Sequence, residues 1–247
     1  MNDATKIYEA IVDRLNAMKL SQMALEFDKV FSSPDFLTTD RLEIIYSIVS
    51  AEYERSASAK YSRRLRKCRL IGSPEDISKC ADSPDRRYSP TGIVQQLSSF
   101  AFIKKGYNLL ILGASGAGKS YLAKALAITA CAEFRGEYQH CSELAESLSE
   151  LRRNDYAAYE KRRKGLAKLD FLVIDDFLIS PLSDDEANVL FSILERRCES
   201  MKSTIICSQR DPKGWGDMLS DDQVMTDAIT KRVTKNYVAQ VTKNLSE

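Results

Sequence analysis

The sequence predicts an α/β fold. A three-layer arrangement, with a parallel sheet of about five strands flanked by helices, follows a small all-α domain. Three observations predict it. After residue 90, short unbroken apolar runs alternate with longer helical segments, as in parallel strands buried on both faces between crossover helices. Before residue 72, apolar residues recur at helical spacing. Residues 73–90 hold Pro74, Pro84 and Pro90 and show neither period, which reads as an irregular linker. The expected division is a helical domain over 1–72, a linker over 73–90 and the sheet domain over 91–247.

In chain order, Ile7, Ile11, Leu15 and Met18 share one helical face, and Leu20, Met23, Ala24 and Phe27 continue it after a break. Ser32-Ser33-Pro34-Asp35 punctuates the chain. Thr39 or Asp40 can cap a second long helix that carries Leu42, Ile45, Ile48, Val49 and Tyr53. Such stripes are core or partner-facing surface. From Arg55 the same helix turns basic: Arg55, Lys60, Arg63, Arg64, Arg66, Lys67 and Arg69 occur with no intervening acid. Beyond the linker, strands are expected at Asn108–Leu112, Glu137–Cys141, Asp170–Ile174, Thr204–Cys207 and Tyr237–Val241. Helices are expected at Lys119–Ala132, Ser142–Arg153, Ser183–Met201 and Asp222–Val233. Ser183 and Glu186 stand at capping-box spacing.

Composition narrows the function classes. Apolar residues make up 44% and charged residues 29%, enough for a packed core and unlike a disordered or disulfide-scaffold chain. The net charge of +1 points to no partner, so any electrostatic signal is local. No apolar run approaches the ~18–20 residues of a membrane span, and the start lacks a basic segment followed by an apolar one. Six cysteines without a CxxC pair and one histidine, His140, argue against zinc. Free thiols and a cytoplasmic location are expected. His140-Cys141, at a strand end, reads as packing or surface.

Gly113-Ala114-Ser115-Gly116-Ala117-Gly118-Lys119-Ser120 matches G-x-x-x-x-G-K-[ST], between an apolar run and the helix former that begins at Tyr121. The glycines let successive N–H groups turn inward at phosphate oxygens, and the positive end of the next helix faces the same anion. Lys119 is expected on the β and γ phosphates and the Ser120 hydroxyl on Mg²⁺. Gly113 through Ser120, with Tyr121, form the expected ATP-binding set. Phe171-Leu172-Val173-Ile174-Asp175-Asp176 ends a buried strand in two carboxylates, at the edge where parallel sheets bind ligands. Asp175 is the expected Mg²⁺ partner. Asp176, pointing elsewhere by strand alternation, is placed to polarise an attacking water. If the strand before Ser208-Gln209 lies between the other two, Ser208 or Gln209 sits near the γ-phosphate, where Gln209 can orient that water.

Taken in order, these parts resemble the IstB family, ATPases that help insertion sequences transpose and are close kin to DnaC-type helicase loaders within the AAA+ class. The resemblance covers nearly the whole chain. It is carried by Leu169–Phe177 with Ser180-Pro181-Leu182-Ser183, by Ser203–Gln209 with Trp215, by Asp227–Val233, and by Lys105–Leu110 before the phosphate loop. It implies a P-loop NTPase of AAA+ type without a C-terminal helical lid, since only fifteen residues follow Arg232. It also implies that Arg232 can act in trans to complete a neighbour's site. The implied activity is ATP hydrolysis, which drives homo-oligomers together on double-stranded DNA. The assembly remodels that DNA and activates a partner transposase. The basic stretch Arg55–Arg69, and the one at Arg152–Lys168, suit phosphate contacts. The sequence departs from the family's pattern in the non-glycine loop residues, in an aspartate at 176 where glutamate is usual, which implies slow hydrolysis, and in Phe177-Leu178. A replicative helicase loader would share the same motifs. A small-molecule kinase would need a substrate pocket and a lid.

Overall fold

A computed structural model describes residues 3–219, 223–234 and 237–243. The chain divides into two compact units, Met1–Arg63 and Arg64–Glu247.

In the first unit, α1 (Asp3–Ala17) packs on α2 (Ser21–Phe31) through Leu15 and Ala24, and Tyr8 stacks on Phe27 and Phe31 at 5.7 and 4.8 Å. The long helix α3 (Arg41–Cys68) starts at Asp40, whose Oδ1 accepts from the Leu42 N–H at 2.8 Å. Of the two expected caps, Asp40 is therefore the one used. Thr39 instead donates its hydroxyl to the Asp35 carbonyl.

The second unit is built on a six-stranded sheet. Its elements in order are β1 (Arg86–Ser89), α4 (Ile93–Ser98), α5 (Ala101–Lys104), β2 (Leu109–Leu112), α6 (Lys119–Ala130), β3 (Gly136–His140), α7 (Cys141–Asn154), α8 (Tyr156–Ala167), β4 (Phe171–Asp175), α9 (Asp184–Glu199), β5 (Ser203–Ser208), α10 (Gly216–Leu219), α11 (Gln223–Val233) and β6 (Tyr237–Lys243). The strand order is β1-β6-β2-β5-β4-β3. Every pairing is parallel except β1 with β6. The α/β expectation holds, and β5 lies between β2 and β4 as the site reading required.

Two expectations need correction. Residues 73–90 are not an irregular linker: Arg86–Ser89 forms the antiparallel edge strand, and a 3₁₀ turn at Ile77–Lys79 precedes it. The strand was illegible because a four-residue edge strand needs only one buried side chain, here Tyr88. Helix α7, expected to begin at Ser142, begins at Cys141, so Ser142 lies inside it and His140 takes the N-cap position without a side-chain bond. The expected start of α11, Asp222, lies outside the described residues. Helix α8 was not expected at all. By contrast, Ser183 and Glu186 form the full capping box of α9.

The core lies between sheet and helices. Leu109–Ile111, Phe171–Ile174 and Ile205–Cys207 are buried along their whole length. Arg197 of α9 is fully buried beneath the sheet. It donates to Thr204 Oγ1, to the Leu169 carbonyl at 3.2 Å, and to the Leu166 and Ser203 carbonyls. Burial pushes its guanidinium down to about 9, still cationic at neutral pH.

Candidate functional site

Parallel register sets the site. Leu112 of β2 is level with Ser208 of β5 and Gln240 of β6, and Asp175 of β4 is level with His140 of β3. The loop after β2 and the acids ending β4 therefore share one edge of the sheet, the carboxyl edge.

The loop curls because two glycines take backbone angles that side chains disfavour: φ is +70° at Gly116 and +105° at Gly118. Gly113 is required for a different reason, since a β-carbon there would lie 2.2 Å from the Val241 carbonyl oxygen of β6. Helix α6 opens at Lys119, so its unpaired N–H groups face the loop. Lys119 is only 5% exposed and donates its Nζ to the Ala114 carbonyl at 2.9 Å, which spans the loop. Ser120 and Tyr121 follow on the first turn, half-buried.

Asp175 is fully buried, and both its oxygens are oriented. Oδ1 accepts from the Asp176 N–H at 2.9 Å, and Oδ2 accepts from the Tyr138 hydroxyl. Burial and this carboxylate push the Tyr138 phenol far up, so it stays a donor. Asp176 sits at φ +51°, a left-handed turn, and its carboxylate reaches toward β3. There His140 Nδ1 lies 3.4 Å from Asp176 Oδ2. His140 is thus a neighbour of the second acid and not mere surface packing. The ligand atoms of His140, Asp175 and Asp176 lie within 4.8 Å of one another. Tyr138 and His140 were missed by sequence reasoning. Their signal was the two-residue spacing in β3, which puts both on one face.

Ser208 and Gln209 part company. Ser208 is buried and structural: it donates to the Phe177 carbonyl at 3.0 Å and accepts from Trp215 Nε1 at 3.3 Å. Phe177 meets Trp215 edge-on at 4.8 Å, so Phe177-Leu178, the departure from the family's pattern, is packed into the core. Gln209 is exposed and lines a cavity of about 410 Å³ with Gly113, Ala114 and Gln240, next to the phosphate loop.

Arg232 lies elsewhere. Its guanidinium pairs with Glu195 of α9 at 2.9 Å and covers the Phe191 ring at 4.9 Å. Its carbonyl accepts from Asn108, just before β2, so it stands at the amino edge, a strand's length of roughly 13–16 Å from the loop. The structure does not bring it to the phosphate loop of its own chain.

The basic residues of α3 also divide. In the first unit, Arg55 pairs with Glu52, while Lys60 and Arg63 are exposed. In the second, Arg64 donates to the Ala132 carbonyl and Arg69 to Gln139, while Arg66 and Lys67 are exposed. The other stretch, Arg152–Lys168, is largely tied up: Arg152 pairs with Asp185, Arg162 with Glu137, and Arg163 with Glu160.

The donor set fits a magnesium nucleotide. An inward-curling loop at a helix N-terminus with one buried ammonium suits a polyphosphate, and a carboxylate with a hydroxyl offers the hard oxygens that Mg²⁺ prefers. Comparison with known proteins supports the nucleotide. The family model described as IstB-like ATP binding protein matches residues 13–246. This chain belongs to the IstB-like ATP-binding family. An insertion-sequence ATP-binding protein of Sinorhizobium fredii is 31% identical over 228 residues, 91% of this chain and 90% of that protein. The ATP-binding protein of insertion sequence IS232 from Bacillus thuringiensis subsp. berliner is 26% identical, covering 92% and 88%. Among solved structures, a DnaC helicase loader superposes with a TM-score of 0.55 at 20% identity, over 68% of this chain and 97% of that one. A DnaA initiator bound to AMPPCP and single-stranded DNA gives 0.55 at 18%, over 70% of this chain and about half (51%) of that one. These likenesses show the P-loop AAA+ fold. No described helix is long and apolar enough to cross a membrane.

Proposed function

We propose that this IstB-like protein is an ATP-dependent, DNA-binding helper of transposition, which hydrolyses ATP, assembles on duplex DNA, remodels it and activates a transposase. The observation that carries the nucleotide chemistry is the buried, doubly hydrogen-bonded Asp175 at the same sheet edge as the Gly113–Ser120 loop. The insertion-sequence relatives support the choice of a transposase as partner.

The residues divide the work. Lys119 leaves the Ala114 carbonyl for the β and γ phosphates, and the loop N–H groups take the phosphate oxygens. Ser120 and Asp175 would hold Mg²⁺, which supplies positive charge to the transferring phosphate. Tyr138 fixes the Asp175 carboxylate. Asp176 accepts the proton of the attacking water, held toward β3 by His140. Gln209, at the rim of the same cavity, orients that water. Arg232 serves a neighbouring copy after exchanging Glu195 for phosphate charge. The exposed Lys60, Arg63, Arg66 and Lys67 contact DNA phosphates without reading sequence.

The test is duplex-DNA binding measured by anisotropy, with and without ATP, for wild type and Lys119→Ala. ATP is expected to tighten binding of wild type only, with a steep salt dependence. ATP-independent binding and an unchanged assembly state in the mutant would sink the proposal. Capture of a hexameric helicase in place of a transposase would move the protein to the loader reading.

A further inference from the structure

The segment read from sequence as a linker closes over the phosphate loop. The Asp76 N–H donates to the Tyr121 hydroxyl at 3.2 Å, and Glu75 pairs with Lys124 of α6 at 3.6 Å. Ser83 and Arg86 exchange main-chain hydrogen bonds of 2.8 and 3.2 Å, and the Tyr88 N–H donates to Asp82 Oδ1 at 2.8 Å. A tight turn therefore anchors the start of β1. The register opposes Arg86 to Lys243, the last residue of β6. Because β6 runs parallel to β2, that pair stands at the carboxyl edge, beside the loop.

The Arg86 side chain reaches the loop itself. A β-carbon on Gly118 would lie 2.8 Å from its Cζ, 2.9 Å from Nε and 3.2 Å from Nη1. The guanidinium thus occupies the space that glycine leaves open, one residue before Lys119. Its Nε is buried and has no hydrogen-bond partner among the described residues. No acid among them forms an ion pair with it either. A guanidinium N–H withdrawn from water without an acceptor is costly, and a phosphate oxygen held in the loop would supply the missing acceptor.

We propose that Arg86 is a phosphate-binding residue of the nucleotide site, supplied by the edge strand. The inference rests on Gly113–Ser120 being that site. Loop N–H groups cradle the α and β phosphates while the loop lysine reaches β and γ. A cation packed on Gly118 meets the part of the nucleotide that ADP and ATP share. Lys119 and Arg86 then hold the polyphosphate from two sides. Arg86 also ties residues 73–90 to the occupancy of the site.

Calorimetry on the full chain tests this with ADP, ATP and adenosine as ligands, for wild type, Lys119→Ala, Arg86→Gln and Arg86→Lys. Arg86→Gln is expected to weaken ADP and ATP alike by about ten- to a hundred-fold, the worth of one hydrogen bond to a charged group. It leaves any adenosine binding unchanged, and Arg86→Lys recovers part of the loss. Equal ADP affinity in wild type and Arg86→Gln overturns the proposal while leaving the loop assignment intact. Failure of wild type to bind any nucleotide overturns the loop assignment itself. Should Arg86→Gln not fold, phenylglyoxal labelling of wild type read by mass spectrometry decides. ADP protects Arg86 and adenosine does not if the proposal holds, and equal labelling in all conditions refutes it.

Discussion

The start of helix α3, in the first unit, and the sheet of the second both carry apolar side chains in a regular pattern, yet they meet water differently. Leu42, Ile45, Tyr46, Val49 and Tyr53 form a helical stripe that is 50–75% exposed. Leu109–Ile111 and Phe171–Ile174 are at most 1% exposed. The second unit therefore buries its own core and holds the candidate site in hydrogen bonds, with Asp175 accepting from two donors and Lys119 spanning the loop. The first unit keeps few buried apolar side chains, Leu15 and Ala24 among them, and displays the rest. Exposed apolar stripes are a common feature of interaction surfaces, which the double substitution below tests. One unit covers its own apolar surface, and the other displays it.

The largest expected effect deepens this contrast. Arg197→Ala leaves three carbonyls under the sheet short of a donor, at about 1–3 kcal/mol for each unsatisfied group. A loss of about 3–5 kcal/mol in denaturant unfolding of the second unit is expected, and a loss below ~1 kcal/mol would mean that water replaces the guanidinium. Next comes Lys119→Ala, which should weaken ATP about a hundred-fold by calorimetry without altering the far-ultraviolet circular dichroism. Retained affinity would show that the loop backbone suffices. Asp176→Asn should bind ATP within a few-fold of wild type yet release phosphate at least about ten-fold more slowly in a turnover assay. A normal rate would remove Asp176 from the chemistry.

Two smaller effects follow, one on the exposed stripe and one on a buried carboxylate. Replacing Tyr46 and Val49 by serine should change thermal stability by about 0.5 kcal/mol or less, because both side chains are exposed, while reducing self-association in sedimentation. A large drop in stability would mean that the stripe is covered within the chain. The last concerns acid. Burial alone would raise the Glu137 carboxyl, but hydrogen bonding and charge from Arg162, with Gln139 and Arg69, hold it below its ordinary value of 4.5. A depressed folded value gives stability that is complete above 4.5 and fades as pH falls through the lower folded value. Melting followed from pH 6 downward should show this loss beginning below about 4.5, and Glu137→Gln should flatten it.

What the sequence determined by itself was local. The loop Gly113–Ser120, the acids Asp175 and Asp176 at a strand end, the capping box of α9 and the helical spacing of the first unit are all written in residues a few positions apart. There the backbone period alone decides which groups meet. The tertiary structure decided the rest. Tyr138 reaches Asp175 across 37 residues, and Asn108 holds the Arg232 carbonyl across 124. His140 turns toward Asp176, Arg197 disappears beneath β5, and residues 86–89 become a strand only because β6 offers a free edge. Such contacts depend on strand order and on which side chains share a buried face, and neither quantity is a function of spacing along the chain.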